Sequence, residues 1–149
     1  MGKQHSMPIR TPRRVELLAI RAGSRDCLTL QSIFVHTNWL VHWVGDAHEA
    51  TLFLRDHPVP VLVCPEKLPD DTWRGLLAST EELTIPPKML VYSDRADKDL
   101  GSEVLHAGGY ELLSTPLQRD ELLRAVSLGC RTWRDELRRQ DIHATAMTA

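Results

Sequence analysis

The side chains able to do chemistry in this chain are scattered, and their spacing limits what that chemistry can be. Seven histidines are present, yet no two fall at the i, i+3 or i, i+4 separation that sets two ligands on one helix face, and none is grouped with a cysteine pair. They read as surface or boundary histidines, so no metal and no cofactor is expected. Cys27, Cys64 and Cys130 are too few and too far apart for a disulfide framework. Cys64 lies inside an apolar run, where a buried thiol is the natural reading, and a redox pair with Cys27 has no support from the spacing. No glycine-rich phosphate loop is present. Ala22-Gly23-Ser24, beside Arg21 and Arg25, could form a small anion nest at a helix N-terminus, although an ordinary turn is the simpler reading. No nucleophile–base pair is recognisable, so enzymatic activity is not expected. Trp39, Trp43 and Trp73 read as packing residues. Trp133, late in an arginine-rich stretch, reads equally as core or as a partner anchor.

The elements that must position these groups alternate. Val15 to Ile20 reads as a strand, followed by the turn at Ala22-Gly23-Ser24 and a helix from Arg25 to about His36. Trp39 to Val44 is a second strand. Asp46 can cap a helix that ends before Pro58. Val59 to Cys64 is apolar apart from Pro60, as a strand covered on both faces should be. A helix is expected over Asp71 to Leu83 with Trp73, Leu76 and Leu77 inward. The fourth strand runs from Lys88 to Ser93, the fourth helix from Asp97 to Ala107 with Gly108-Gly109 ending it, the fifth strand from Tyr110 to Leu113, and the last helix from about Arg119 to Arg139. Five such alternations with short connections predict an α/β fold: one parallel five-stranded sheet, doubly wound in flavodoxin-like (βα)5 fashion, with strand order 2-1-3-4-5. Residues 1–13 read as a flexible basic tail, 14–139 as the domain, and 140–149 as a frayed tail.

Bulk properties narrow the partners. A length of 149 residues, 42% hydrophobic and 26% charged, suits one soluble domain with a genuine core. A formal net charge of −2 gives no field favouring nucleic acid or an anionic membrane. The basic N-terminal segment and the arginines of the last helix read as solvated, and no helix-turn-helix is recognisable. No apolar run reaches membrane-spanning length, and no signal-type apolar core follows the N-terminal basic residues. With scattered cysteines, this reads as a cytoplasmic chain.

Four short motifs then fall in order. Leu68-Pro69-Asp70 follows the third strand, Ser93-Asp94-Arg95-Ala96-Asp97 the fourth, Ala107-Gly108-Gly109-Tyr110-Glu111 opens the fifth, and Ser114-Thr115-Pro116-Leu117 leads to Asp120-Glu121-Leu122. Together they resemble the response-regulator receiver domain, across residues 15–128. His36-Thr37-Asn38-Trp39 is similar, less specifically, to a segment of bacterial receiver-like domains. The resemblance implies a two-component signalling role and assigns positions. The phosphoacceptor aspartate falls on Pro65, which has no carboxylate. The metal-binding acidic pair falls at or near Arg21 and Ala22, and an arginine repels the magnesium ion that phosphoryl transfer needs. The phosphate-pairing lysine becomes Thr115 and the aromatic switch becomes Leu112, while the sensing hydroxyl survives as Ser93. Glu66 neighbours Pro65 and is expected to point to the opposite face, unless the strand has already ended.

The expected function is a phosphorylation-independent pseudo-receiver, working by protein–protein contact through the fourth helix, fifth strand and fifth helix. Leu112, Arg131, Trp133, Arg134 and Leu137 are the candidate surface, Trp133 and Leu137 forming an apolar stripe past the sheet. A protein partner in a signalling pathway is implied, with a homodimer as one form of that contact. The alternative is a sensor of a small anionic ligand or nucleotide, in the crevice at the strand C-termini.

Overall fold

The computed structural model describes residues 14–21 and 25–148, with side chains to Ile142. The expected basic tail over residues 1–13, Ala22 and the nest at 22–24 lie outside the described residues. Five strands and five helices alternate: β1 (Glu16–Ile20), α1 (Arg25–Phe34), β2 (Leu40–Val44), α2 (Ala47–Asp56), β3 (Val61–Pro65), α3 (Trp73–Thr80), β4 (Lys88–Ser93), α4 (Lys98–Ala107), β5 (Glu111–Ser114) and α5 (Arg119–Thr148). All pairings are parallel and the order is β2-β1-β3-β4-β5, as the alternation predicts.

Alternation along each strand divides the core into two layers. Leu18, Ile20, Leu62, Cys64, Met89 and Val91 face α2, α3 and α4, which contribute Ala50, Leu54, Trp73, Leu76, Leu100 and Val104. Leu17, Val61, Val63, Leu90, Tyr92 and Leu113 face the other way, against Leu30 and Phe34 of α1 and Leu122, Ala125, Val126 and Cys130 of α5. A strand clad on both faces must be apolar throughout, which is why Val61 to Cys64 are all fully buried.

Local chemistry sets the helix boundaries. Asp46, Thr72 and Asp97 sit extended before α2, α3 and α4, and each side chain accepts a hydrogen bond from the amide three residues on. Helix α3 therefore starts at Trp73, two residues later than expected, because Thr72 serves as its cap and also pairs with Lys67 across the preceding loop. Gly108, at φ 109°, closes α4, with its own amide and that of Gly109 returning to the last turn. The last helix departs most from expectation. It runs to Thr148 rather than ending near Arg139, because after Gly129 the segment has no proline or glycine to stop it.

Candidate functional site

In a parallel doubly wound sheet the loops after the strands gather at the carboxyl edge, and the residues that end β3 and β4 meet there. Asp26, Pro65, Glu66, Lys67, Tyr92, Ser93, Asp94 and Arg95 line an open pocket at this edge. Pro65 is the last residue of β3, paired with Tyr92. The Glu66 amide then donates to the Tyr92 carbonyl at 2.9 Å, and the Glu66 carbonyl accepts from the Trp73 amide at 3.1 Å. The backbone at Glu66 is thus fastened from both sides.

With the strand over, the Glu66 side chain is released from the alternation and enters the pocket, against the expectation that it turns away. Its side chain is 13% exposed. Ser93 Oγ donates to Glu66 Oε1 at 2.6 Å, and the Arg95 guanidinium pairs with Glu66 Oε2. The Arg95 amide donates back to Ser93 Oγ at 3.0 Å. Glu66, through its hydrogen bond and its charge, holds the Arg95 guanidinium above the ordinary arginine range. Beneath them the Tyr92 hydroxyl is buried with no hydrogen-bond partner among the described residues, and burial pushes its acidity well below that of a free phenol.

The other positions read from the sequence disperse. Arg21 leaves the pocket for the β2 edge, its guanidinium 5.8 Å from the centre of the Trp43 ring. Thr115 is held by its amide, which donates to the Ser93 carbonyl at 3.1 Å, and it is not among the residues lining the pocket. Asp26 falls in the first turn of α1, as expected, and reaches the rim. The lining therefore has three acids against Lys67 and Arg95, a balance that does not favour an anion. Cys64 is sealed in the α2–α4 layer, where burial pushes its thiol up to about 12; none of the three cysteines forms a disulfide.

The five surface residues also part company. Leu112 packs against the α4 layer and lines a groove with Leu105, Glu111 and Glu121. Arg131 is exposed. Arg134 donates to the Arg14 carbonyl at 2.8 Å. Trp133 and Leu137 do not stand free as an apolar stripe. They continue the inward face of α5 past the sheet and line a groove shared with Leu77, Ile85, Pro86 and Pro87, beside a Lys88–Glu136 ion pair of 2.7 Å. Spacing explains this: 126, 130, 133 and 137 share one side of a helix.

Two further carboxylates escaped the sequence reading. Asp70 accepts from the amides of Ala47 (2.9 Å) and His48 (3.1 Å), clamping the α2 N-terminus from the β3–α3 loop. Glu16 Oε2 accepts from Nε2 of both His42 and His57, at 2.7 Å each. The histidines are distant in sequence and meet only through the fold, so the expectation of scattered histidines is corrected here. No local spacing announces either arrangement.

Among the solved structures similar to this chain are several receiver domains. The signal receiver domain of a Vibrio parahaemolyticus protein described as a LuxO repressor matches with a TM-score of 0.73 at 19% identity, covering 83% of this chain and 95% of that one. The chain has the receiver fold. A second receiver domain, from an HD-domain-containing protein of Pseudomonas fluorescens Pf-5, gives 0.70 at 22% identity, over 82% of this chain and 98% of that one. A CheY-like response-regulator receiver from Methanospirillum hungatei JF-1 gives 0.71 at 17% identity, over 83% and 98%. No protein-family model and no curated protein matches the sequence. Placed on the receiver fold, the Glu66–Ser93–Arg95 cluster occupies the carboxyl edge beside β3 and β4. No helix among the described residues is long and apolar enough to cross a membrane.

Proposed function

We propose that this chain is a phosphorylation-independent, non-enzymatic receiver-like signalling module that works through protein–protein contact. One observation carries the reading: the Ser93 hydroxyl already donates to a carboxylate supplied by the chain itself, Glu66 Oε1 at 2.6 Å. In a receiver, by the resemblance, that hydroxyl responds to a phosphoryl group on the preceding strand. Here the strand ends in Pro65, which cannot accept one, and an internal anion sits against the hydroxyl instead. The Arg95 pair holds that anion in place. The output surface is the α4–β5–α5 face, with its groove along Leu105 and Leu112.

Acetyl phosphate with magnesium tests the first half. Intact-mass measurement is expected to find no phosphoryl adduct, and trapping with a nucleophile no acyl phosphate. Stoichiometric acyl phosphate at Glu66 would overturn the proposal, since Glu66 is then a substitute phosphoacceptor. The anionic-ligand reading gains no support from the pocket, because Arg21 lies outside it and acids outnumber bases along its walls.

A further inference from the structure

The amino end of the sheet holds a second constellation, remote from the pocket after β3 and β4. Glu16 is the first residue of β1, His42 lies mid-strand in β2 and His57 caps the C-terminus of α2. In the parallel β1–β2 register Glu16 pairs with Leu40 and Leu18 with His42. Glu16 and His42 therefore project from the same face, one step apart on the diagonal. That face is the one α2 covers, and α2 delivers His57 to the same point. Phe53 sets the two rings: its centroid is 4.9 Å from that of His42 and 5.0 Å from that of His57, and the two imidazoles are 5.0 Å apart with their planes inclined at 66°.

We propose that Glu16, His42 and His57 bind one divalent late first-row transition ion, of which zinc is the representative. Each residue offers one ligand atom, and these atoms all lie within 4.8 Å of one another. Two imidazole nitrogens and one carboxylate oxygen are the donor set of a borderline cation, and calcium or magnesium would require oxygen ligands throughout. Each Nε2 lies 2.7 Å from the same Oε2; with each imidazole in its Nδ1–H tautomer, any extra proton going to solvent, an ion entering between them meets two Nε2 lone pairs and one carboxylate oxygen. Bond lengths of about 2.1 Å in tetrahedral geometry separate ligand atoms by about 3.4 Å. The present 2.7 Å contacts therefore open by roughly 0.7 Å, within reach of a carboxylate rotation. Burial is graded to leave a fourth position: His42 and Glu16 side chains are 24% and 27% exposed, and His57 is 50% exposed. A water or an outside ligand completes the sphere from the His57 side. The ion ties the edge strand β2 and the end of α2 to β1. The site shares no residue with the Glu66 pocket, so it stands whether or not the signalling reading holds.

Zinc titrated into the full chain in competition with a chromophoric chelator tests this. One zinc per chain is expected, with a dissociation constant of a few micromolar or tighter. A melting temperature about 5 °C higher is expected when free zinc is a hundredfold above that constant. Cobalt is expected to give the intense visible bands of a four-coordinate site. His57→Ala and Glu16→Gln are each expected to weaken binding at least thirtyfold. His57 is half exposed, so its variant keeps the fold even if one at His42 does not. His106→Ala, on the exposed side of α4, is expected to bind as the parent does. Zinc affinity unchanged in both His57→Ala and Glu16→Gln, or binding weaker than about 100 micromolar in the parent, overturns the proposal.

Discussion

Two carboxylates on either side of Leu68 act on different partners, and the difference sets how each responds to pH. Asp70 faces two backbone amides at the start of α2, and that of Ala47 above all holds its carboxyl below the ordinary 3.8, against the opposing effect of burial and with further help from the His48 amide. An acid whose folded pKa is depressed contributes stability that is present above its unfolded value and lost as pH falls through the folded one. Asp70→Ala is therefore expected to cost about 1 kcal/mol at neutral pH, the worth of a helix cap at an exposed site. The gap between parent and variant in urea unfolding should close as pH is lowered from about 5 through the region below 3.8. A gap that stays constant over that range would assign the cost to something other than the ionised cap. Glu66 shows where residue-level reading from sequence stops. Strand alternation placed it on the wrong side of the sheet, because alternation holds only while the strand lasts, and β3 ends at Pro65. That Pro65, where the resemblance puts the phosphoacceptor, has no carboxylate was legible from one residue type. The carboxylate that answers Ser93 was not, since it depends on where a strand stops to within one residue.

At the scale of elements, strands and their order were legible because two layers of helix force continuous apolar runs, and proline and glycine punctuate between them. The end of α5 was not, because a segment without helix breakers carries no stop signal and the decision passes to packing. The second half of α5 extends the helix's inward face: Trp133 and Leu137 line a groove with Pro86 and Pro87, and Glu136 pairs with Lys88. The indole nitrogen of Trp133 is buried there without a hydrogen-bond partner among the described residues. Two substitutions separate the ring from its nitrogen. Trp133→Ala removes a partly buried aromatic and is expected to cost about 2 kcal/mol, below the range for full burial. Trp133→Phe keeps most of the packing and deletes the orphaned donor, so it is expected to lie within about 0.5 kcal/mol of the parent. Equilibrium urea unfolding measures both. Equal, small effects would mean that the second half of α5 is not docked in solution.

For the whole molecule, the question is which surface remains to meet a partner once the chain has covered its own. Trp133 and Leu137 turn toward the groove beside the α3–β4 connection, so, besides Leu128 of α5, the large exposed apolar side chain on the proposed output face is Leu105 of α4, at 59% exposed. It sits at a groove lined by Asp97, Glu111, Leu112 and Glu121. Burial raises the Glu111 carboxyl above its usual range, and the charge of Glu121 raises it further, against a smaller opposing pull from Arg124. A crowded acidic wall around one apolar side chain suits a partner that brings basic residues, and Arg131 on the exposed side of α5 is such a group on a second copy. A two-fold pairing would set each α5 against the other's groove, satisfying both walls with one contact. Leu105→Glu adds a carboxylate to that wall without touching the core. It is expected to weaken self-association at least tenfold while shifting the melting temperature by no more than about 2 °C. Sedimentation velocity across the micromolar range measures the first and thermal unfolding the second. Added salt should weaken the parent's association in the same direction, because the complementarity is between exposed charges. A parent chain that sediments as a monomer throughout would remove the homodimer. A Leu105→Glu chain that also recovered the same partner from native extract as the parent would remove the α4–β5–α5 face as the output surface.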